Sequence, residues 1–554
     1  MFAEAWTVRS FRVGLVLIAL AYFSIQMVYV SRLPLAMDEF DGAYEAHRLS
    51  FETPYRDFTP YKTVLGYWLQ SLPLRTAGSP WEGLMRVKFA LAALNTAALI
   101  AVGLALGRRF RFESVIASMA FTVLVSSFLE RSSDLRVEML TAWFGVATLL
   151  LLIERRFAIS GLICGLGFCV SQREALYWVA ANLAIAAVVG TTERWPMLLR
   201  KLVAWNLGFI LPVAAYVGAW SLVAGPQAVI TATFLAHADT VTTTFYEIQG
   251  RYWGQTILRN WFFWGLSAVA IWRLESLRAR RHSWAHDVTL VFASVLLLLS
   301  IWYRQPWPYF FVLVIPVLFI LHAAFLDAEF ATAPLRLTRP ILAAAIAFGI
   351  ILPLSRIPVV VARDNSYQRQ TVEIARAVLR QPSDTYMAGT DLVYDRKQTI
   401  PELSRMDAIM LARLNSRSAP EIEALIRAID RTPPKLLINN YRLAQFPKEI
   451  RSYFASHYER LWASVYTYAP LIEDRQSVDL KFDGIYMIDV SDRSEAVIDG
   501  RPAGHGSRIA LNSGQHVVET RTPVRLRLLP DGLDGLLDPD SEQQRDLYPS
   551  VYDY

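Results

Sequence analysis

From Phe11 to Val361 the chain runs in apolar blocks of about 15–24 residues, and a helix that crosses a bilayer needs roughly 20. No feature constrains the fold more, because backbone amides in hydrocarbon have no water to bond and must be satisfied within a helix or a closed barrel. The blocks place helices over 11–30, 84–106, 114–129, 138–153, 158–170, 175–190, 202–223, 259–272, 288–301, 309–326 and 340–360. The first block has no small-residue cleavage site after it and reads as a retained anchor. From Ala362 onward no such block occurs, so a polytopic helical membrane part is expected over 1–360, with a soluble part behind it.

Charge divides at the same place. Residues 361–554 carry 25 Lys and Arg against 28 Asp and Glu, and the first 360 carry 30 against 21. No long basic run exists, so the excess is read as topology and nucleic acid is excluded as a partner. The connectors 107–113, 154–157, 191–201, 273–287 and 327–340 each hold at least two Arg or Lys, whereas 130–137, 171–174 and 303–308 are less basic. Basic connectors stay on the cytoplasmic side. The N-terminus is then inside, and eleven crossings put the C-terminal part outside. Cys164 and Cys169 both lie in one apolar block and read as packing residues.

The soluble part mixes helical and strand patterns. DTYMAGTDLVY (384–394) and PKLLINNY (434–441) read as strands, and PEIEALIRAI (420–429) and FPKEIRSYFASHY (446–458) as amphipathic helices. Residues 495–530 alternate in short runs broken by Asp-Gly and Ser-Gly, the pattern of a small β-module. An α/β domain over 361–490 and a β-module with an acidic tail over 491–554 are expected.

Chemistry is sought in the polar segments. MDEFDGAYEAHRL (37–49) follows the first apolar block with Asp38, Glu39, Asp41 and Glu45. A carboxylate shielded from bulk water at a membrane edge suits a general base or a metal ligand. Asp41 and Glu45 are read as ordinary polar residues of a following helix. PYRDFTPYKTVLGYWLQ (54–70) offers Tyr55, Arg56, Asp57 and Lys62 before a short apolar stretch suited to the interface. A cation there suits a lipid phosphate, though a snorkelling lysine gives the same pattern. ERSSDLRVEML (130–140) contributes Arg131 and Asp134, HADTVTTTFYEIQGRYWGQ (237–255) His237, Glu247 and Arg251, and YRQPWPYF (303–310) Arg304. Taken singly, such residues are usually solvated or capping. Together, Asp38, Lys62, Asp134, Arg251 and Arg304 map to one side of the membrane. A transporter would place ionisable groups near mid-depth. Charge held at one rim suits chemistry on a lipid head group.

The acidic pair after the first helix, the PYRDF segment, the Lys before LGYWLQ and the later R-x-x-D turn together resemble the polytopic glycosyltransferases of the GT-C superfamily. They are most similar to the lipid A aminoarabinose transferases and the protein O-mannosyltransferases. The resemblance covers roughly residues 10–360. It implies a polyprenyl-phosphate-linked sugar donor, inverting transfer to an extracytoplasmic acceptor, and a place in the bacterial inner membrane among its lipids. By position, Asp38 matches the first acid of the family's pair and Glu39 its partner. Lys62 resembles the lysine of a K-P-P-L-x-Y-W segment that contacts the donor phosphate, with Thr63 and Val64 where the prolines usually stand. Asp134 resembles the second-loop acid. Arg251 resembles a basic residue of an H-I-x-R-F pattern whose His is missing here, and YFFVLVIP after Arg304 resembles a late Y-Y-L-x-x-x-P helix start. Asp38 is the expected base, and Lys62 with Arg304 or Arg251 the expected partners of the leaving phosphate. A divalent metal ion near the carboxylates is compatible with this reading but not required by it. The rival readings are a lipid flippase without chemistry and a scaffold whose soluble domain does the work.

Overall fold

Satisfying the backbone in hydrocarbon makes helices of the apolar blocks, and a computed structural model shows how they pack. It describes residues 2–235, 249–278, 283–303, 306–332, 351, 354–474, 476–492, 494–530, 533 and 543–548. The N-terminal half runs α1 (Phe2–Arg32), α2 (Met37–Arg48), α3 (Val64–Arg75), α4 (Pro80–Leu106), α5 (Phe112–Val123), α6 (Ser126–Arg131), α7 (Glu138–Ile153), α8 (Phe157–Val170), α9 (Ala175–Thr192) and α10 (Trp195–Ala224).

Among the described residues, five stretches are long and apolar enough to cross a bilayer: Val8–Arg32, Pro80–Leu106, Gln172–Thr192, Trp195–Ala224 and Trp284–Trp302. Each matches one of the eleven expected segments. Others are shorter, among them Phe112–Val123, Glu138–Ile153 and Phe157–Val170. The segment expected over 114–129 breaks after Val123 and resumes as the short helix α6. The one expected over 340–360 falls largely outside the described residues, as do His237, Glu247 and Arg304.

Burial follows the same logic. Helix Ile315–Thr332 lies inside the bundle, with Val317, Leu318, Phe319, Ile320 and Leu321 fully buried. By contrast, α10 buries only Leu198 and Trp205 and exposes Leu207, Ile210 and Leu211, as a helix facing lipid does. Where α10 crosses α8 the backbones nearly touch. A Cβ on Gly161 would collide with the Trp205 carbonyl, and one on Gly208 with the Ala158 carbonyl. Small residues permit this close approach, which substitutes for a hydrophobic drive that lipid does not supply. Gly161→Val is therefore expected to cost about 1–3 kcal/mol by forcing the helices apart. Thermal unfolding in detergent reads this, and a variant as stable as the parent would show that the contact contributes nothing.

The C-terminal part is β-rich and shares a core with the bundle. Leu35, Phe40, Tyr67, Trp81 and Leu84 pack in one buried cluster with Tyr367, Val372, Leu392, Leu436 and Trp462. Gln368 fastens the seam, accepting from the Leu35 N–H at 2.8 Å and donating to the Leu35 carbonyl at 2.9 Å. The expected helices appear as Ala419–Arg431 and Lys448–His457. The expected strand over 384–394 reduces to Tyr386–Met387, parallel to Leu436–Ile438. Beyond it, residues 388–394 turn back toward α2 instead. Strands Glu495–Ile498, Arg501–Gly504, Arg508–Leu511, Gly514–Glu519 and Val524–Leu529 form where the β-module was expected. Their pairing reaches back past residue 491: Gln476–Leu480 pairs with Gly514–Glu519, and Gly484–Val490 with Val524–Leu529.

Candidate active site between the bundle and the C-terminal domain

A cavity of about 300 Å³ lies between α2, the chain after Tyr61, the turn before α7 and the C-terminal domain. Its described lining includes Asp38, Asp41, Glu45, Lys62, Arg136 and Arg405. The three acids fall at i, i+3 and i+7 of α2, which puts them on one helical face. Asp41 and Glu45, expected as ordinary polar residues of this helix, are thus part of the cavity wall. Their spacing from Asp38 is the one trace of this in the sequence.

At one end Asp38 forms an ion pair with Arg136. Arg136 also lies 3.3 Å from Glu138 and 3.4 Å from the centre of the Tyr309 ring. Glu138, only 1% exposed, further accepts from Arg173 at 2.6 Å and from Lys62. Three cations therefore converge on one buried carboxylate. Lys62 is held there because its neighbour Thr63 donates from Oγ1 to the Phe168 carbonyl at 2.9 Å. Burial pushes the Lys62 ammonium down to about 7, against the pull of Glu138. Arg136, Arg173 and Glu138 were not singled out from the sequence. Nothing in their local pattern sets them apart from other turn residues.

Glu39 faces the other way. Its Oε2 accepts from the Ala36 N–H at 2.8 Å, capping α2, and its Oε1 accepts from the Leu135 N–H at 2.9 Å and from Lys88 at 2.5 Å. It is fully buried and fixes the turn that carries Arg136 to Asp38. Asp134 belongs to the same network, 3.7 Å from Lys88 and 3.6 Å from Arg131. Burial and the Glu39 carboxylate push Asp134 up to about 7. Glu39, Arg131 and Asp134 thus support the cavity from behind, and none is among its lining residues. Tyr55 shares a 2.5 Å hydrogen bond with Tyr216, which ties its loop to α10. Asp57 pairs with Arg56 at 2.9 Å in solvent. Arg251 is exposed in the first turn of helix Gln249–Arg259. The structure does not gather these three at the cavity, and Arg304 lies outside the described residues.

The other end is closed by the C-terminal domain. Arg405 pairs with Glu45, donates from Nε to Asp391 at 2.9 Å, and donates from Nη2 to the Asp41 carbonyl at 3.0 Å. The Asp391 N–H donates to Asp41 Oδ1 at 3.0 Å. Burial, then the Asp391 carboxylate, pushes Asp41 up to about 8, with Arg405 opposing and Asp38 adding to the rise. A free aspartate titrates near 3.8, so between about pH 4 and 8 the folded chain holds a proton that the unfolded chain has released. Stability from this group is full at low pH and falls as pH rises through that window. Asp41→Asn is neutral throughout and should flatten the decline. Unfolding temperatures between pH 5 and 8.5 test this, and an unchanged slope would remove Asp41 as its source.

Among the described residues no group of three or more His, Cys, Asp or Glu is gathered to hold a metal ion. Asp38 is committed to Arg136 and Glu45 to Arg405. The donor set does not fit a divalent cation, and no step is derived through one.

No family model matches the chain, and no curated protein does. Solved structures do. ArnT from Cupriavidus metallidurans bound to undecaprenyl phosphate aligns with a TM-score of 0.58 at 13% identity, over 84% of this chain and 98% of that one. The archaeal oligosaccharyltransferase AglB from Archaeoglobus fulgidus, in complex with an inhibitory peptide and a dolichol-phosphate, aligns with a TM-score of 0.53 at 13% identity, over 93% of this chain and 76% of that one. At such identity the likeness shows the fold.

Proposed function

We infer that the chain is a multi-pass membrane protein of the GT-C type, from the fold it shares with ArnT and AglB and from its long apolar helices. We propose that it is an inverting glycosyltransferase that moves a sugar from a polyprenyl phosphate to a hydroxyl of an extracytoplasmic acceptor. The observation that carries this reading is Asp38, a carboxylate in a cavity wall beside three cations that converge on Glu138. Asp38 takes the proton of the acceptor hydroxyl as its oxygen attacks the anomeric carbon. The bond from that carbon to the phosphate oxygen breaks, and its electron pair leaves with the lipid phosphate. Lys62, Arg136 and Arg173 offset the charge that the phosphate gains. Arg136 is shared between Asp38 and Glu138, so a phosphate that draws Arg136 toward itself frees Asp38 to act as the base.

The same reading takes 1–360 as the catalytic membrane domain, with eleven crossings in the bacterial inner membrane, and 361–554 as an extracytoplasmic cover. It is supported by the fold shared with proteins whose structures hold undecaprenyl phosphate or dolichol-phosphate. The test is to reconstitute the full chain with polyprenyl lipids extracted from bacterial membranes, an acceptor-bearing envelope fraction added. Mass spectrometry should then find sugar-bearing polyprenyl phosphate converted to the bare phosphate. Movement of intact sugar lipid across the vesicle with no bare phosphate formed would replace this reading by that of a flippase.

A further inference from the structure

The Glu45 end of the cavity has unmet hydrogen-bonding capacity of one kind. Glu45 is 1% exposed and its Oε1 is taken by Arg405. Its Oε2 accepts no hydrogen bond among the described residues, although the residue lines the cavity. A buried acceptor left without a donor is destabilising, so a ligand that supplies one is favoured. The surrounding groups do not supply it. Arg405 is spent on Asp391, Glu45 and the Asp41 carbonyl, and Gln398 donates to Asp391 at 2.9 Å. Glu45 presents a carboxylate oxygen, which only accepts, and the Asp41 carboxyl beside it, raised by burial, can donate as well as accept. A phosphate, which has acceptors alone, leaves the Glu45 Oε2 unmet. A ring of hydroxyls is favoured.

Position agrees with chemistry. Glu45 stands two helical turns along α2 from Asp38, about 10 Å on one face. The cation cluster sits at the Asp38 end, so a phosphate held there directs the group it carries along α2 toward Glu45. Tyr67, Met406 and Met410 line the same cavity and offer apolar surface to the faces of such a group. We propose that this end of the cavity is the subsite for the sugar ring of the lipid-linked donor. In it Glu45 receives a hydrogen bond from a ring hydroxyl, Asp41 exchanges one with a second hydroxyl, and Arg405 of the C-terminal domain holds both in position. This inference rests on the glycosyltransferase reading and gives the C-terminal domain a defined part in it, as the wall that recognises the sugar.

The test uses the full chain in nanodiscs, with Asp38→Asn in every arm to prevent turnover. Each protein is offered polyprenyl-phosphate lipids extracted from bacterial membranes and, separately, pure undecaprenyl phosphate. Native mass spectrometry reads the ratio of sugar-bearing to bare lipid retained. The Asp38→Asn parent is expected to retain sugar-bearing lipid in preference to bare lipid. Adding Glu45→Gln should lower that ratio about tenfold while undecaprenyl phosphate binding stays within twofold. Met410→Trp, which fills the same end without touching a carboxylate, should lower it likewise. If the parent shows the preference and both variants keep it, or if both lose the two lipids equally, the sugar subsite is overturned and the glycosyltransferase reading stands. If the parent binds undecaprenyl phosphate but shows no preference for sugar-bearing lipid, both readings fall.

Discussion

Asp38→Asn is expected to abolish transfer while leaving the protein folded and able to bind its lipid. Asparagine keeps the shape of the side chain but cannot take a proton from an attacking hydroxyl. General-base catalysis contributes roughly 10²–10⁴-fold, so turnover should fall by at least a hundredfold. Stability should change little. The Asp38 side chain is 39% exposed, and exposed pairs contribute about 0–1 kcal/mol. Its partner is not stranded, because Arg136 keeps Glu138 and the Tyr309 ring. The measurement is the rate at which bare polyprenyl phosphate appears, set beside lipid binding and the unfolding temperature of the same preparation. A variant within threefold of the parent rate would remove Asp38 as the base.

Removing Glu138 should produce the largest loss of stability. This carboxylate is the common partner of Lys62, Arg136 and Arg173, and it is buried. Without it three cations face one another, with Asp38 paired to Arg136. Taking one partner from a buried ion pair typically costs about 3–5 kcal/mol, because the charge left behind remains desolvated. Glu138→Ala should therefore unfold well below the parent temperature or fail to accumulate. The cations are also the proposed phosphate site, which supplies a second readout. A bound dianion offsets the charge that Glu138 carried. Undecaprenyl phosphate, given to both proteins at one concentration a hundred times the parent's dissociation constant, adds about 2.7 kcal/mol to the parent and more to a variant that binds it tighter. Thermal unfolding with and without the lipid should show a larger rescue for Glu138→Ala than for the parent. Equal shifts in the two proteins would mean that the phosphate does not sit among these cations.

The candidate site was only partly visible along the chain. Asp38 and Lys62 were found because each stands next to an apolar run, where a charge is conspicuous. Glu39, Arg131 and Asp134 were found for the same reason and turn out to hold the cavity from behind. Adjacent residues on a helix point about 100° apart, so Asp38 and Glu39 cannot share a face. Asp41 and Glu45 can, and their spacing in MDEFDGAYEA carried that information. Lys88 hides inside α4, whose apolar pattern gives no reason to expect an ion pair with Glu39. Arg405 had no signal at all, since one arginine among many in a soluble domain has nothing to distinguish it.

Residue chemistry along the chain sets the solvent of each part and the local form that follows. Apolar blocks near bilayer length must be helices, because hydrocarbon offers their amides no other partner. Period-two alternation with turn residues between runs must make short strands, as it does over 495–530. Which charges meet is settled in three dimensions. Arg405 lies 360 residues from Glu45 and yet closes the cavity against it. Lys62, Arg136 and Arg173 come from three separate connectors and converge on one carboxylate. Local pattern is set by neighbours a few residues apart and can be read along the chain. An ion pair depends on distance in space, and that distance exists only once the bundle and the C-terminal domain share their core.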